Sequence, residues 1–109
     1  MGSELREPTF LMLTALADQP RHGYGVIREV ERLSDGKVSL RAGTLYAALD
    51  RLCEEHLVEV ANEEVVDGRF RRYYRLTDSG SATLSSESRR RMVVSKEALR
   101  RLRLAGGLA

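Results

Sequence analysis

Residues 42–76 have the sequence AGTLYAALDRLCEEHLVEVANEEVVDGRFRRYYRL, and their periodicity changes from helical to extended partway along. In the first half, apolar residues recur at intervals of four, three and one, at Leu45, Leu49, Leu52 and Cys53, which predicts a helix that packs through this stripe. From Leu57 onward, β-branched and aromatic residues lie on both sides of Asp67-Gly68, a dipeptide typical of hairpin turns. The stretch therefore predicts a helix followed by two antiparallel strands that end at Leu76.

The predicted helix has an open face opposite its apolar stripe. Thr44, Ala47 and Arg51 lie on that face, and their side chains are small or able to form hydrogen bonds. Such a surface lets a partner approach the backbone closely, which is unusual for a face that meets only solvent.

Two more helices are predicted before this stretch. Residues 8–17, PTFLMLTALA, are apolar nearly all round, so this helix must be covered on more than one side. Residues 22–36, HGYGVIREVERLSDG, place Val26, Ile27, Val30 and Leu33 at helical spacing, which predicts a second, amphipathic helix.

A long helix is predicted after the hairpin. Thr77 or Asp78 can cap it, and we expect it to run about 40 Å, to about Ala105, before Gly106-Gly107 stops it. Three helices, a hairpin and a further helix are the order of a winged helix-turn-helix domain. The predicted fold class is thus mainly α with a small β-hairpin and a long C-terminal helix.

Composition sets the broad class of the protein. The chain has 109 residues, 42% hydrophobic and 31% charged, which suits a single globular domain. We expect no membrane association, since no apolar run approaches the roughly 20 residues that span a bilayer. The N-terminus carries no pattern of a targeting signal, and the single cysteine, Cys53, fits a reducing compartment, so we expect a cytoplasmic protein.

The net charge of +2 is unevenly distributed. Residues 1–80 hold 11 Lys and Arg against 14 Asp and Glu, whereas residues 81–109 hold 7 against 2. Global charge is therefore a poor argument for binding to nucleic acid, and such a prediction has to rest on a local patch.

Three motifs together resemble the PadR family of transcriptional regulators. They are HGYG at residues 22–25, GTLYAALDRL at residues 43–52 and RRYYRLTDSG at residues 71–80, in matching order and spacing. The resemblance covers about residues 9–84 and is to the short subclass with a single C-terminal helix. The sequence departs from the family pattern just before GTLY. Arg41 and Ala42 stand there in place of the usual Ser-Pro, so the helix lacks its usual cap.

The resemblance implies a repressor that binds duplex DNA as a homodimer. It implies that the third helix enters the major groove, that the hairpin wing lies along the adjacent backbone, and that the last helix joins two subunits. Residues 1–80 would then be the DNA-binding domain and residues 81–109 the dimerisation helix. It also implies that a small aromatic or drug-like effector can bind between the subunits, and it requires no cofactor.

The expected DNA contacts begin on the third helix. Gly43, Thr44 and Ala47 permit close approach, and Tyr46 can donate a hydrogen bond to a phosphate. Arg51 supplies charge, although it could instead pair with one of the neighbouring acids, Asp50, Glu54 and Glu55. Two further contacts are expected at helix starts: Arg41, which is disfavoured beside a helix N-terminus unless a phosphate is near, and Tyr24.

The returning strand of the hairpin carries four arginines and no acid. Charge of that density suits phosphate contact in or beside the minor groove, and we expect it from Arg69, Arg71 and Arg72. The alternative is cross-strand pairing with acids of the opposing strand, namely Glu59, Glu63 and Glu64. We expect both in part, with Arg75 internally paired and Tyr74 in the core.

The last helix carries a stripe close to that of a coiled coil. We assign its apolar members to a dimer interface, together with residues of the first helix: Leu84, Met92, Leu99, Leu102, Phe10, Leu11 and Met12. The alternative is that the helix packs on its own domain.

Two other classes of function are an enzyme and a module that binds proteins. His22, His56 and Cys53 have no recognised metal-ligand spacing, and no catalytic signature is present, so we expect neither a metal site nor an enzyme. The net acidity of residues 1–80 would suit a winged-helix module that binds proteins instead. A salt-dependent affinity for duplex DNA distinguishes that module from a DNA-binding regulator.

Overall fold

The computed structural model describes residues 5–106. The chain is mainly α-helical, with one small sheet. In chain order its elements are α1 (Glu7–Ala15), β1 (Arg21–His22), α2 (Gly23–Leu33), α3 (Ala42–Glu54), β2 (Val58–Val66), β3 (Arg69–Leu76) and α4 (Asp78–Leu104). The predicted order of helices and hairpin is confirmed, and the short strand β1 is an addition that the periodicity did not predict.

The core lies where α1, α2 and α3 meet the base of the hairpin. Its largest fully buried side chains are Met12, Leu13, Val26, Val30, Leu45, Leu49, Leu52 and Val58. The helix α1 is covered on several sides, as its apolar composition predicts. Cys53 packs half-buried against this core, in agreement with its position on the apolar stripe.

Three members of the predicted dimer interface belong to this core instead. Leu11, Met12 and Leu84 are only 8%, 1% and 9% exposed within a single chain. Their side chains already pack against their own subunit, so little of their surface is left for a second one. The predicted interface is corrected in this respect.

The sheet has the strand order β1-β3-β2 and is antiparallel throughout. In the hairpin, Val58 pairs with Leu76 and Val66 with Arg69, and the register shifts between Val60 and Asn62. Asp67 and Gly68 have φ values of 51° and 75°. These positive angles are what a two-residue hairpin turn of type I′ requires, so the predicted turn is confirmed.

One face of the hairpin continues the core only near the base of the wing. Tyr74 is buried there, as predicted, beside the fully buried Val58. Close to the turn, the same face carries Phe70 opposite Val65, and both side chains are more than half exposed. The wing therefore projects beyond the core as a two-stranded ribbon.

The first turn of α4 is joined tightly to the start of the hairpin. Thr77 caps the helix, since its Oγ1 accepts a hydrogen bond of 2.9 Å from the backbone N–H of Gly80. The same hydroxyl donates to the carbonyl of His56 at 2.6 Å, and the Thr77 N–H donates to the carbonyl of Leu57 at 3.1 Å. At the other end, Gly106 has a φ of 78°, while Gly107 of the predicted Gly106-Gly107 stop lies outside the described residues.

A second contact ties α4 to α1. The guanidinium of Arg91 lies 4.0 Å from the centroid of the Phe10 ring and donates to the carbonyl of Leu5 at 2.7 Å. It also donates to the carboxylate of Glu87 at 2.9 Å, and Glu87 is only 5% exposed. Arg91 therefore packs against its own domain.

The close approach at Gly80 generates a stability prediction. A Cβ atom at this position would lie well under 3.0 Å from the carbonyl oxygen of Leu57, which is backbone and cannot rotate away. We expect Gly80→Ala to lower the free energy of unfolding by about 1–3 kcal/mol.

The matched control is Gly43→Ala. Gly43 lies in helix α3, and a Cβ atom added there would have no neighbouring atom within 4 Å. It should leave the stability unchanged or raise it by up to about 1 kcal/mol. Urea unfolding of both variants measures the difference. Equal stability of the two variants would show that the backbone at residue 80 has room to move.

Candidate nucleic-acid interface

The exposed face of α3 carries the residues predicted to meet DNA. Gly43, Thr44, Tyr46, Ala47 and Arg51 are all exposed, while Leu45 and Leu49 on the opposite side are fully buried. The buried stripe holds the helix on the core, so the other face is presented to the outside with a fixed orientation.

Arg41 stands at the N-cap of α3 and makes no side-chain capping hydrogen bond. The absence of a cap was predicted from the missing Ser. The first turn of α3 also contains no acidic residue, so its free N–H groups and the Arg41 side chain form a locally positive end.

Tyr46 links α3 to the start of α2. Its hydroxyl and the adjacent ring carbons occupy the space that a Cβ atom on Gly23 would need. The neighbouring Tyr24 is 65% exposed. The HGYG and GTLY motifs therefore meet in space, and Gly23, which the sequence did not single out as part of the interface, provides the room for Tyr46.

Arg51 is not neutralised by its neighbours. Within residues 5–106 it forms no ion pair with Asp50, Glu54 or Glu55, so the alternative of local pairing is not found. Its guanidinium instead makes a long hydrogen bond of 3.5 Å to the hydroxyl of Thr9 on α1. Its charge therefore remains available on the surface of α3.

The wing arginines divide into a paired and an unpaired set. Arg75 donates to Glu59 at 2.8 Å, as predicted, and Arg72 donates to Glu63 at 2.9 Å. The assignment of Arg72 to DNA contact is therefore weakened, because a phosphate would have to compete with Glu63. In the described part of the chain, Arg69 and Arg71 form no ion pair, as expected of free cations.

His22 lies between β3 and α2. Its Nδ1 caps α2 by accepting a hydrogen bond of 3.4 Å from the Gly25 N–H, and its ring packs edge-on against Tyr73. Burial, followed by the positive charges of Arg71 and Arg28, lowers the pKa of His22. Arg28 was not predicted to belong to this surface, since nothing distinguishes it from the other polar residues of α2.

Together these residues form a surface of hydrogen-bond donors and cations. They come from the start of α2, the exposed face of α3 and strand β3, and they can bind anions and the edges of bases. Within residues 5–106, no group of three His, Cys, Asp or Glu side chains is arranged to hold a metal ion. None of the helices described is long and apolar enough to cross a membrane.

Comparisons with known proteins identify a family of transcriptional regulators. The model of the Transcriptional regulator PadR-like family matches residues 12–86. The Transcriptional regulator Rv3488 of Mycobacterium tuberculosis (strain ATCC 25618 / H37Rv) is 37% identical over 83 residues, which cover 76% of this chain and 74% of that protein.

Solved structures agree in fold. A PadR family transcription regulator from Clostridium difficile R20291 superposes with a TM-score of 0.73 at 22% identity, over 89% of this chain and 99% of that chain. Bacillus subtilis PadR in complex with operator DNA superposes with a TM-score of 0.66 at 21% identity, over 74% of this chain and 47% of that chain. At these identities the likeness shows the winged-helix fold.

The surroundings of His22 predict a pH dependence of folding. Because its pKa is lowered in the folded chain, the unfolded chain binds the proton more readily. Stability is then full above the unfolded pKa of about 6.5 and declines as the pH falls below it.

We expect the melting temperature to fall between pH 7 and pH 5, and to fall less in His22→Asn, where Asn can still cap the helix without titrating. The lowered pKa values of Glu29, Glu87 and Glu97 act mainly below this window, and their effect is the same in both proteins. Parallel pH profiles for the two proteins would mean that His22 is not the titrating group.

Proposed function

The chain belongs to the PadR-like family of transcriptional regulators, and on that premise we propose that it is a repressor that binds a pseudo-palindromic operator in duplex DNA as a homodimer. Members of this family are transcriptional regulators and not enzymes. In this proposal residues 1–80 bind DNA and residues 81–109 join the subunits. A regulator of this kind binds chromosomal DNA, which is consistent with a cytoplasmic location.

The observation that carries the proposal is the exposed face of α3 with unpaired arginines nearby. Thr44 and Ala47 present small side chains that allow the helix to enter a major groove, and Tyr46 and Arg51 can reach phosphates at its edges. The locally positive start of α3 at Arg41 gives a phosphate a further favourable site. Tyr24 lies exposed beside Tyr46 and extends this contact to α2.

The wing supplies the second part of the contact. Arg69 and Arg71 follow the tight turn at Asp67-Gly68. Glu64 lies opposite Arg71 in the strand register, but within the described residues neither arginine forms an ion pair. Cations held on a narrow two-stranded ribbon can follow the backbone beside the groove that α3 occupies. Bacillus subtilis PadR, solved with operator DNA, shares this fold.

The dimer is supported by the part of α4 that lies beyond its contact with α1. Six apolar side chains there are between 46% and 74% exposed: Met92, Val93, Val94, Leu99, Leu102 and Leu104. An isolated helix that exposes this much apolar surface is typical of a protein interface. A second copy of the chain, with α4 against α4, would cover the face of Met92, Leu99 and Leu102 that the sequence predicts. Val93, Val94 and Leu104 point to other sides of the helix.

An effector also has a place in the proposal. A groove of ≈ 870 Å³ lies between α1, α3 and the start of α4, with Met12, Ala48 and Leu57 among its apolar residues. Its volume is that of a typical small-molecule site. The resemblance implies an effector between the subunits, whereas this groove lies within one chain and has Thr44, Ala47 and Arg51 in its wall. A small aromatic or drug-like molecule bound here would cover residues that face DNA and release the operator.

The wing contact predicts a specific change in salt dependence. Arg71→Ala should weaken binding to duplex DNA by a similar factor for all sequences, because phosphate contacts do not distinguish bases. The slope of log affinity against log salt should shrink by about 1 for each lost contact, and so by about 2 for a dimer.

Arg75→Ala is the matched control. Because Arg75 is held by Glu59, this substitution should leave the slope unchanged. Fluorescence anisotropy at several salt concentrations measures both variants. Equal slopes in wild type and Arg71→Ala would remove Arg71 from the interface. Wild-type protein without any salt-dependent affinity for DNA would instead favour a protein-binding module.

The exposed end of α4 predicts the assembly state. Leu99→Glu combined with Leu102→Glu should give a monomer with an unchanged melting temperature for the subunit, since neither side chain belongs to the core. Affinity for a two-half-site operator should drop by about 10²-fold or more, because the two domains no longer bind as a linked pair. Light scattering and anisotropy measure the two effects.

Lys96→Glu, an exposed change of charge on the same helix, serves as the control and should remain dimeric. A double Glu variant that is still a dimer would place the subunit interface elsewhere.

A further inference from the structure

Two points of contact determine the direction in which α4 leaves the DNA-binding domain. The first is the joint at its N-terminus, where Gly80 lies against the carbonyl of Leu57. The second is a group that we name the Arg91 latch, formed by Arg91, Glu87, the Phe10 ring and the carbonyl of Leu5. Leu84 packs in the core between them. After the latch, nearly all of α4 is exposed.

We propose that the Arg91 latch fixes the angle between α4 and the DNA-binding domain, and thereby sets the separation of half-sites that the dimer accepts. This inference rests on the homodimer proposed above. It makes Arg91, Phe10 and Glu87 positioning residues, which determine where α3 lies. Phe10, which the sequence assigned to the dimer interface, then acts by holding the Arg91 guanidinium of its own chain.

The dimensions of α4 explain why one contact has this effect. The joint and the latch are 11 residues apart, or about 16 Å, and the helix continues about 20 Å from Arg91 to Leu104. A rotation of about 10° at the latch would move the far end by about 3.5 Å, close to the rise of one base pair. Without the latch, α4 would be held only through its first turns, and half-site separation would no longer be defined to a single base pair.

A second ion-pair group on the same helix, around Glu97, differs from the latch in its exposure and in its contacts. Glu97 pairs with Arg100 and Arg101 at the same spacings as Glu87 with Arg90 and Arg91. The Glu97 side chain is 40% exposed, whereas that of Glu87 is 6% exposed. In the described chain, only the Glu87 group is shown engaging another element, through an aromatic ring and a backbone carbonyl. A partly buried group of this kind holds its geometry much better than an exposed pair.

The experiment measures affinity as a function of half-site separation. Duplexes recovered by selection from random DNA are rebuilt with the centre of the site lengthened or shortened by one and two base pairs. Each is titrated with wild type, Arg91→Met, Phe10→Leu and the matched control Arg101→Met, while light scattering verifies the dimer. Arg91→Met retains the apolar stem but loses the charge and both hydrogen bonds.

For wild type and Arg101→Met we expect affinity to fall about tenfold or more for each base pair of change. For Arg91→Met and Phe10→Leu we expect the best affinity to fall several-fold and the spacing profile to flatten, to about threefold or less for each base pair. Arg91→Lys, which retains the cation over the ring, should restore part of the selectivity.

The proposal is contradicted if Arg91→Met and Phe10→Leu remain dimeric, bind DNA and retain the sharp spacing profile of the wild type. A contact that only stabilises the fold would leave that profile unchanged. The proposal is contradicted as well if either variant becomes monomeric, since the group would then belong to the subunit interface. If the wild-type protein is monomeric, or binds none of the selected duplexes, the proposed function itself is wrong. The proposal for the latch then fails with it.

Discussion

The carbonyl of Leu57 and the first turn of α4 lie in direct contact, and the other parts of the molecule are arranged around this joint. Leu57 precedes the outgoing strand of the wing, and Thr77 follows the returning one, so the contact closes the base of the wing. The same residues start α4, because the Thr77 hydroxyl both caps the helix and donates to the carbonyl of His56. Only a residue without a side chain at position 80 allows this approach. The wing and the long helix therefore keep a fixed relation to α3.

Ion pairs between neighbouring side chains, and not the net charge of the chain, decide where positive charge is available on the surface. Residues 1–80 contain more acid than base, yet two of the four acids of the hairpin, Glu63 and Glu59, are occupied by Arg72 and Arg75. Several arginines of α4 are likewise held by Glu87 and Glu97. Within residues 5–106, the cations without an acid partner include Arg51, Arg69 and Arg71, which belong to the surface proposed to meet DNA. A chain with an acidic domain can in this way present a basic face.

The features predicted from sequence are those with local causes. The stripe of α3, the Asp67-Gly68 turn and the Thr77 cap each depend on residues a few positions apart, and all are present. The strand β1 was missed because two residues have no periodicity, and it forms only by pairing with Tyr73 and Tyr74 far along the chain.

The same distinction explains which features of the candidate site and the interface the sequence pattern left open. The Arg91 latch joins residues 86 positions apart, which no spacing pattern can indicate. Leu11 and Met12 are apolar enough for an interface, and only the packing of α1 shows that they are core. Arg72 looks like its neighbours in sequence, and it is the cross-strand register that places Glu63 opposite it.

The central claim is that two copies of α3, held apart by paired α4 helices, lie in successive major grooves on one face of DNA. Methylation protection of guanine N7 on a selected operator tests this directly, because N7 lies in the major groove. We expect two protected patches related by two-fold symmetry and separated by about 10 base pairs, or a whole multiple of one helical turn. A single protected patch, or two patches on opposite faces of the duplex, would contradict it.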